Sequence, residues 1–176
     1  MTDHRSSDLE YFLRVITPTR HDPTYSLLRA HLLFEEVLNA YLESQLRHPG
    51  QLDGQRLSFA QRLAIARACS PHLEPSDWRW EALAKLNQLR NTLAHKLEPT
   101  KFESKSKEYV TFIETGLGRP LPSTSSAGSQ SPTGNESSAR YLDIDMVNAG
   151  LFASLPIALG LSAQSIAEAS ALPEVK

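Results

Sequence analysis

The chain has 176 residues, 40% apolar and 22% charged, with 18 Lys and Arg against 20 Asp and Glu. That length supports one well-buried core with room for an appendage, and a formal net charge of −2 argues against the broad basic surface of a duplex-DNA binder. Cys69 is the only cysteine, which excludes an intrachain disulfide and a zinc site built on cysteines.

The first residues, 1–8, are polar and lack the apolar core of a signal peptide. From there the apolar spacing predicts helices almost throughout and no strand. A first helix covers residues 8–16 and stops before Thr17-Pro18. A second runs over 25–47, with Pro23 near its start and Pro49-Gly50 beyond its end. Its apolar face carries Leu28, Leu38, Leu42 and Leu46, yet His31, Glu35 and Asn39 share that face. Leu33, Val37 and Ala40 make a second apolar patch, so this helix is either sandwiched in the domain or part of a dimer contact.

A third helix opens at Ser58, where Ser58 and Gln61 read as a capping box, and stops before Pro71. A fourth follows Pro75-Ser76 and continues to about residue 97, with Leu83, Leu86, Leu93 and Leu97 on its core face and Ala82 and Leu89 beside them. Of Trp78 and Trp80 near its start, one is expected in the core or an interface. A fifth starts at Thr100, with Glu103 completing a capping-box pattern, and ends at Gly116. Residues 56–96 carry a local excess of four positive charges, a pattern common on solvated surfaces.

Between 116 and 139, Ser, Gly and Pro fill 14 of 24 positions, too little apolar surface to offset ordering entropy. The expected organisation is therefore a helical domain over 5–116, a flexible Ser/Gly/Pro linker over 117–140 and a C-terminal helical tail over 141–176. The tail is expected to break near Pro156 and to dock on its own domain or on a partner. Asp143 and Asp145 fall at its start, where acids suit the helix dipole. Its greasiest part, 146–161, is interrupted by Asn148, Gly150, Pro156 and Gly160 and is too short to span a bilayer. No membrane partner is expected, and the chain reads as soluble and cytoplasmic.

Chemistry concentrates in Arg90-Asn91-Thr92-Leu93-Ala94-His95. A guanidinium can hold a phosphate and an imidazole can move a proton near neutral pH, which is what RNA cleavage without a metal needs. On an ideal helix Arg90 and His95 lie about 140° apart, so spacing alone does not join them. A second copy of the helix would complete the site. Asn91 and His95, four residues apart, share a stripe with Asn87. The structural alternative stays open. In it Arg90, at the rim of the leucine stripe, neutralises Glu35, a carboxylate otherwise costly to bury, while His95 near a helix end answers the dipole. His31 and Glu35, also four apart, could ligate a metal but are expected to form a core hydrogen-bonded pair. No nucleotide-binding glycine loop and no Ser-His-Asp arrangement is present, and no cofactor is expected.

Three blocks together resemble the HEPN superfamily, in the branch close to the mannitol-operon regulator family. They are the Leu/Glu-rich helix over 31–46, the stretch Ser58-Phe59-Ala60-Gln61-Arg62-Leu63, and Leu89 through His95. The likeness covers about residues 25–115, roughly half the chain. It implies an antiparallel helical bundle that dimerises and brings two copies of the motif to one cleft. It implies Arg90, Asn91 and His95 as catalytic residues of a metal-independent endoribonuclease, with Glu35 in support, in a toxin–antitoxin or phage-defence setting. RNA, a second copy, and a cognate antitoxin or regulatory protein are the implied partners. Other members are non-catalytic regulatory or protein-binding modules, and that reading is the alternative. Some toxin branches carry a tyrosine two residues after the histidine; here that residue is Leu97.

Overall fold

The structure, a computed structural model, describes residues 23–52, 54–94, 99–118 and 136–161. These form five α-helices: α1 Pro23–Gln45, α2 Phe59–Cys69, α3 Trp78–Ala94, α4 Pro99–Leu117 and α5 Glu136–Ala158, with a 3-10 turn at Pro49–Leu52. No strand occurs among the described residues, so the fold is all-α. The helix expected over 8–16 lies outside the described residues, as do residues 119–135 of the expected linker and the tail beyond 161.

Local chemistry accounts for most of the boundaries. The Ser58 hydroxyl accepts from the Gln61 amide while Gln61 reaches back to the Ser58 amide at 2.8 Å, closing the expected capping box at the start of α2. At the start of α3, Asp77 Oδ1 accepts from the Arg79 amide at 2.9 Å, satisfying one of the free N–H groups of the first turn. α4 begins at Pro99 rather than Thr100. A proline is well suited to the first helical position, where its missing N–H is not needed, so Thr100 lies within the first turn and not at the cap.

α1 lies inside the domain. It packs against α2, α3 and α5, and Leu27, Ala30, Phe34, Val37, Leu38 and Tyr41 are fully buried. Leu33, Val37 and Ala40 are buried within this same chain, so the second apolar patch belongs to a sandwiched helix. Leu28 departs from expectation: it is exposed, as is Leu32. On α3, Ala82, Leu83, Leu86 and Leu89 are buried and Leu93 partly so, as the leucine stripe predicts; each such side chain removed from water contributes about 1.5–3 kcal/mol. Trp80 is the core tryptophan, its indole N–H donating to the Glu74 carbonyl at 3.1 Å. Trp78 covers Gly116 of α4, where an added Cβ would lie 2.3 Å from the ring.

The C-terminal helix docks on its own domain. Val147, Leu151, Phe152, Leu155 and Leu159 join the same core as α1–α4, and Phe152 meets Phe34 of α1 with ring centroids 5.9 Å apart. Tyr109 of α4 donates to Asn148 Oδ1 at 2.6 Å inside this interface. α5 starts at Glu136, within the stretch expected as linker, and no break occurs at Pro156. The helix passes through the proline and ends two residues on. There Leu161 N–H reaches the Pro156 carbonyl at 2.9 Å and Gly160 N–H reaches Ile157 at 3.1 Å, with Gly160 at φ +72°. This is the Schellman ending that a glycine makes possible.

Because α5 starts at Glu136, Asp145 lies more than two turns inside it, beyond the reach of the N-terminal dipole. It faces Ser26 of α1, which hydrogen-bonds its carboxyl, while its Oδ1 is buried without a partner. Burial pushes its pKa up from 3.8 to about 6. A carboxyl with a raised native pKa opposes folding once ionised: stability falls as pH rises from 3.8 through 6 and then levels off. Asp145→Asn is therefore expected to stabilise the protein at pH 7.5 by on the order of 1–2 kcal/mol, allowing for solvent screening. In urea melts the gain should shrink as pH is lowered below 6. Gly116→Ala should instead destabilise by about 1–3 kcal/mol, because the overlap with Trp78 outweighs the helix propensity gained. Thermal melts of the two proteins check it.

Candidate functional site

The end of α3 places two of the three motif residues. Arg90 is half-buried and Asn91 exposed, and the Arg90 guanidinium donates from Nη1 to Asn91 Oδ1 at 3.2 Å. Leu89 anchors the turn in the core. Thr92 is buried on another side of the helix, where its hydroxyl donates to the Gln88 carbonyl at 2.8 Å and accepts from Lys105 Nζ of α4 at 3.2 Å. That contact fixes the rotation of the last turn about its axis. His95 lies outside the described residues, so its distance from Arg90 is not part of this geometry.

Opposite α3 runs the polar stripe of α1. His31 is buried and its Nε2 lies 3.1 Å from Asn87 Oδ1. An amide oxygen can only accept, so in this contact Nε2 is the donor. The imidazole also packs on Phe59 of α2, ring centroids 4.3 Å apart. Burial lowers the His31 pKa below the usual 6.5; the Asn87 bond and the Glu35 charge oppose this, and the nearby Arg90 charge adds to it.

Glu35 does not pair with Arg90. Its Oε1 accepts from Arg62 Nη1 of α2 at 2.6 Å, and the same Arg62 nitrogen donates to the Leu57 carbonyl. Both charged side chains are partly buried, where an unmatched charge would be costly. Nor do His31 and Glu35 bond to each other, since each is held by a different helix. Among the described residues Arg90 forms no ion pair, and no three His, Cys, Asp or Glu side chains come together in a way that could hold a metal. Among the described residues no helix is long and apolar enough to cross a membrane.

Sequence reasoning named Arg62 and Asn87 but gave neither its contact with α1. The signal for Arg62 was present: three residues after buried Phe59 and one before buried Leu63, it sits at the rim of an apolar stripe, the same position that made Arg90 a candidate. The resulting seam runs Asn91, Arg90, Asn87, His31, Glu35, Arg62. Within it one carboxylate meets one guanidinium, burial makes the imidazole harder to protonate, and among the described residues Arg90 carries a positive charge with no ion-pair partner. Such an arrangement can receive an anion at Arg90.

The chain matches no family model, no curated protein and no solved structure.

The lowered His31 pKa has a testable sign. His31 should titrate below 6.5, the ordinary value, in NMR spectra of the imidazole carbons. Arg90→Ala should move its pKa up and Glu35→Gln should move it down. Its contribution to stability is complete above 6.5 and is lost as pH falls below that value, because the unfolded chain binds the proton more readily.

Proposed function

We propose that the chain is a metal-independent endoribonuclease of the HEPN kind, built as an antiparallel helical bundle and acting as a dimer. The observation that carries this reading is that Glu35 is matched by Arg62, which leaves the Arg90 guanidinium, beside Asn91, with donors to spare for a phosphate. The structural explanation of Arg90, neutralisation of Glu35, loses its basis with that pairing.

In the proposed reaction a ribose 2′-OH attacks the adjacent phosphorus. His95 takes the 2′ proton as general base. Arg90 holds the non-bridging oxygens as negative charge builds on them. Asn91 orients the phosphate or the imidazole. The second protomer supplies the proton to the departing 5′-oxygen, leaving a 2′,3′-cyclic phosphate and a free 5′-hydroxyl. The setting in keeping with this chemistry is a toxin–antitoxin or phage-defence system, with a cognate antitoxin or regulatory protein as partner.

A second reading, a non-catalytic dimeric regulatory or protein-binding module, is favoured by Leu28 and Leu32, which are exposed four residues apart on α1. Single-stranded RNA incubated with the purified dimer in chelator separates the two. The ribonuclease reading expects cleavage ending in cyclic phosphate, reduced by roughly 100-fold or more in His95→Ala and in Arg90→Ala. The melting temperature and dimer should be retained. Intact RNA with a confirmed dimer would establish the binding module instead.

A further inference from the structure

Next to the Glu35–Arg62 pair, a cleft of about 250 Å³ opens between the C-terminal half of α1 and the loop leading into α2. Leu42 and Leu57 line it, together with the Asn39 and Gln55 amides, the Glu43 carboxylate and Arg62. We propose that this cleft is a nucleobase subsite that receives a guanine of a single-stranded RNA; the assignment of RNA as its source rests on the reading of Arg90 as the phosphate-holding residue.

Three features select this ligand. The first is size: the cleft falls below the range of about 300–1,000 Å³ typical of drug-sized ligand sites, which suits one flat ring system and not a folded peptide or a dinucleotide. The second is charge. Arg62 is already matched by Glu35 and is further held by the Leu57 carbonyl, so among the described residues Glu43 gives the cleft a surplus carboxylate. That disfavours a phosphate and favours a neutral ring rich in N–H donors. Guanine presents two adjacent donors, N1–H and N2–H, that a carboxylate accepts together, and an O6 acceptor for an amide N–H of Asn39 or Gln55. Adenine, cytosine and uracil offer no such donor pair. The third is continuity. His31, Glu35, Asn39 and Glu43 recur every four residues on α1, each turned about 40° further round the axis, so a slowly winding polar row leads from the His31–Asn87 contact beside Arg90 to the cleft. His31 and Asn39 are about 12 Å apart along the helix axis, a span that an extended strand covers in a few nucleotides. Splayed bases of single-stranded RNA are read through hydrogen bonds to their edges, and the amide- and carboxylate-bearing lining of the cleft suits that mode.

The test uses the full chain, isotope-labelled, with guanosine, adenosine, cytidine and uridine, and with short single-stranded RNAs with and without one G. Guanosine should shift the amide signals of Asn39, Glu43 and Gln55 and bind at least about tenfold more tightly than the other nucleosides. Glu43 is exposed on α1, so Glu43→Gln is expected to fold normally and to lose that tenfold preference. The G-containing RNA should bind more tightly than guanosine. Arg90→Ala should remove that advantage and leave guanosine binding unchanged. Equal binding of all four nucleosides, shifts away from the cleft, or a preference that survives Glu43→Gln would overturn the subsite. RNA cleavage with no dependence on G would sink the subsite and spare the Arg90 reading. Guanosine seated in the cleft of a protein that neither cuts RNA nor gains affinity through Arg90 would do the reverse, identifying a free guanine nucleoside as the ligand.

Discussion

The ion pair between Glu35 and Arg62 decides what the other polar residues between α1, α2 and α3 are free to do. A partly buried carboxylate must find a cation, and two arginines on neighbouring helices were available to it. Because Arg62 takes the role, Arg90 forms no ion pair among the described residues and donates to the Asn91 amide oxygen. Burial holds the His31 pKa below its usual value, and the Arg90 charge adds a smaller push in the same direction against the opposing Asn87 bond and Glu35 charge. Arg62 also holds the Leu57 carbonyl, which ties the loop before α2 to α1 and shapes the cleft beside it.

That pairing in turn depends on how α1 is rotated, and the rotation is set by its apolar partners. Phe34 meets Phe152 of α5, and Leu27, Val37, Leu38 and Tyr41 are fully buried. With α5 covering one side and α3 another, the stripe of His31, Glu35 and Asn39 falls toward Phe59, Arg62 and Asn87. The C-terminal helix is thus part of what orients the polar seam, although it contributes no residue to it. Its own interface is not free of strain: Asp145 and Asn148 each bury an atom with no partner, a cost accepted where the surrounding apolar contacts dominate.

The parts legible in the sequence are those governed by neighbours a few residues away. The Ser58–Gln61 capping box, the leucine stripe of α3 and the ends of α2 depend on local chemistry and are seen, while α1, expected over 25–47, lies two residues earlier at both ends. Glycine at 160 closing α5 is equally local, but its Schellman ending was masked by the expectation that Pro156 breaks the helix. Near a C-terminus a proline forfeits one hydrogen bond and the helix can continue. What the sequence could not settle is partner choice. Periodicity put Leu28 on the core face, yet α1 presents it to solvent, because a helix buried on most sides has no single apolar stripe to read. The sequence placed Arg90 at the rim of a leucine stripe and offered it to Glu35, and only the packing of α2 on α1 brings Arg62 to that carboxylate instead. Arg90 and Asn91 were identified from residue chemistry and are adjacent in space; His95 lies outside the described residues.

The central claim is that Glu35 is coupled to Arg62 and not to Arg90, and paired double-mutant cycles measure it most directly. Urea unfolding of the single and double alanine variants gives each coupling energy. The expected result is about 1 kcal/mol or more between Glu35 and Arg62, with less than about 0.3–0.5 kcal/mol, the spread of independent sites, between Glu35 and Arg90. A large Glu35–Arg90 coupling with none to Arg62 would contradict the account and return Arg90 to a structural role.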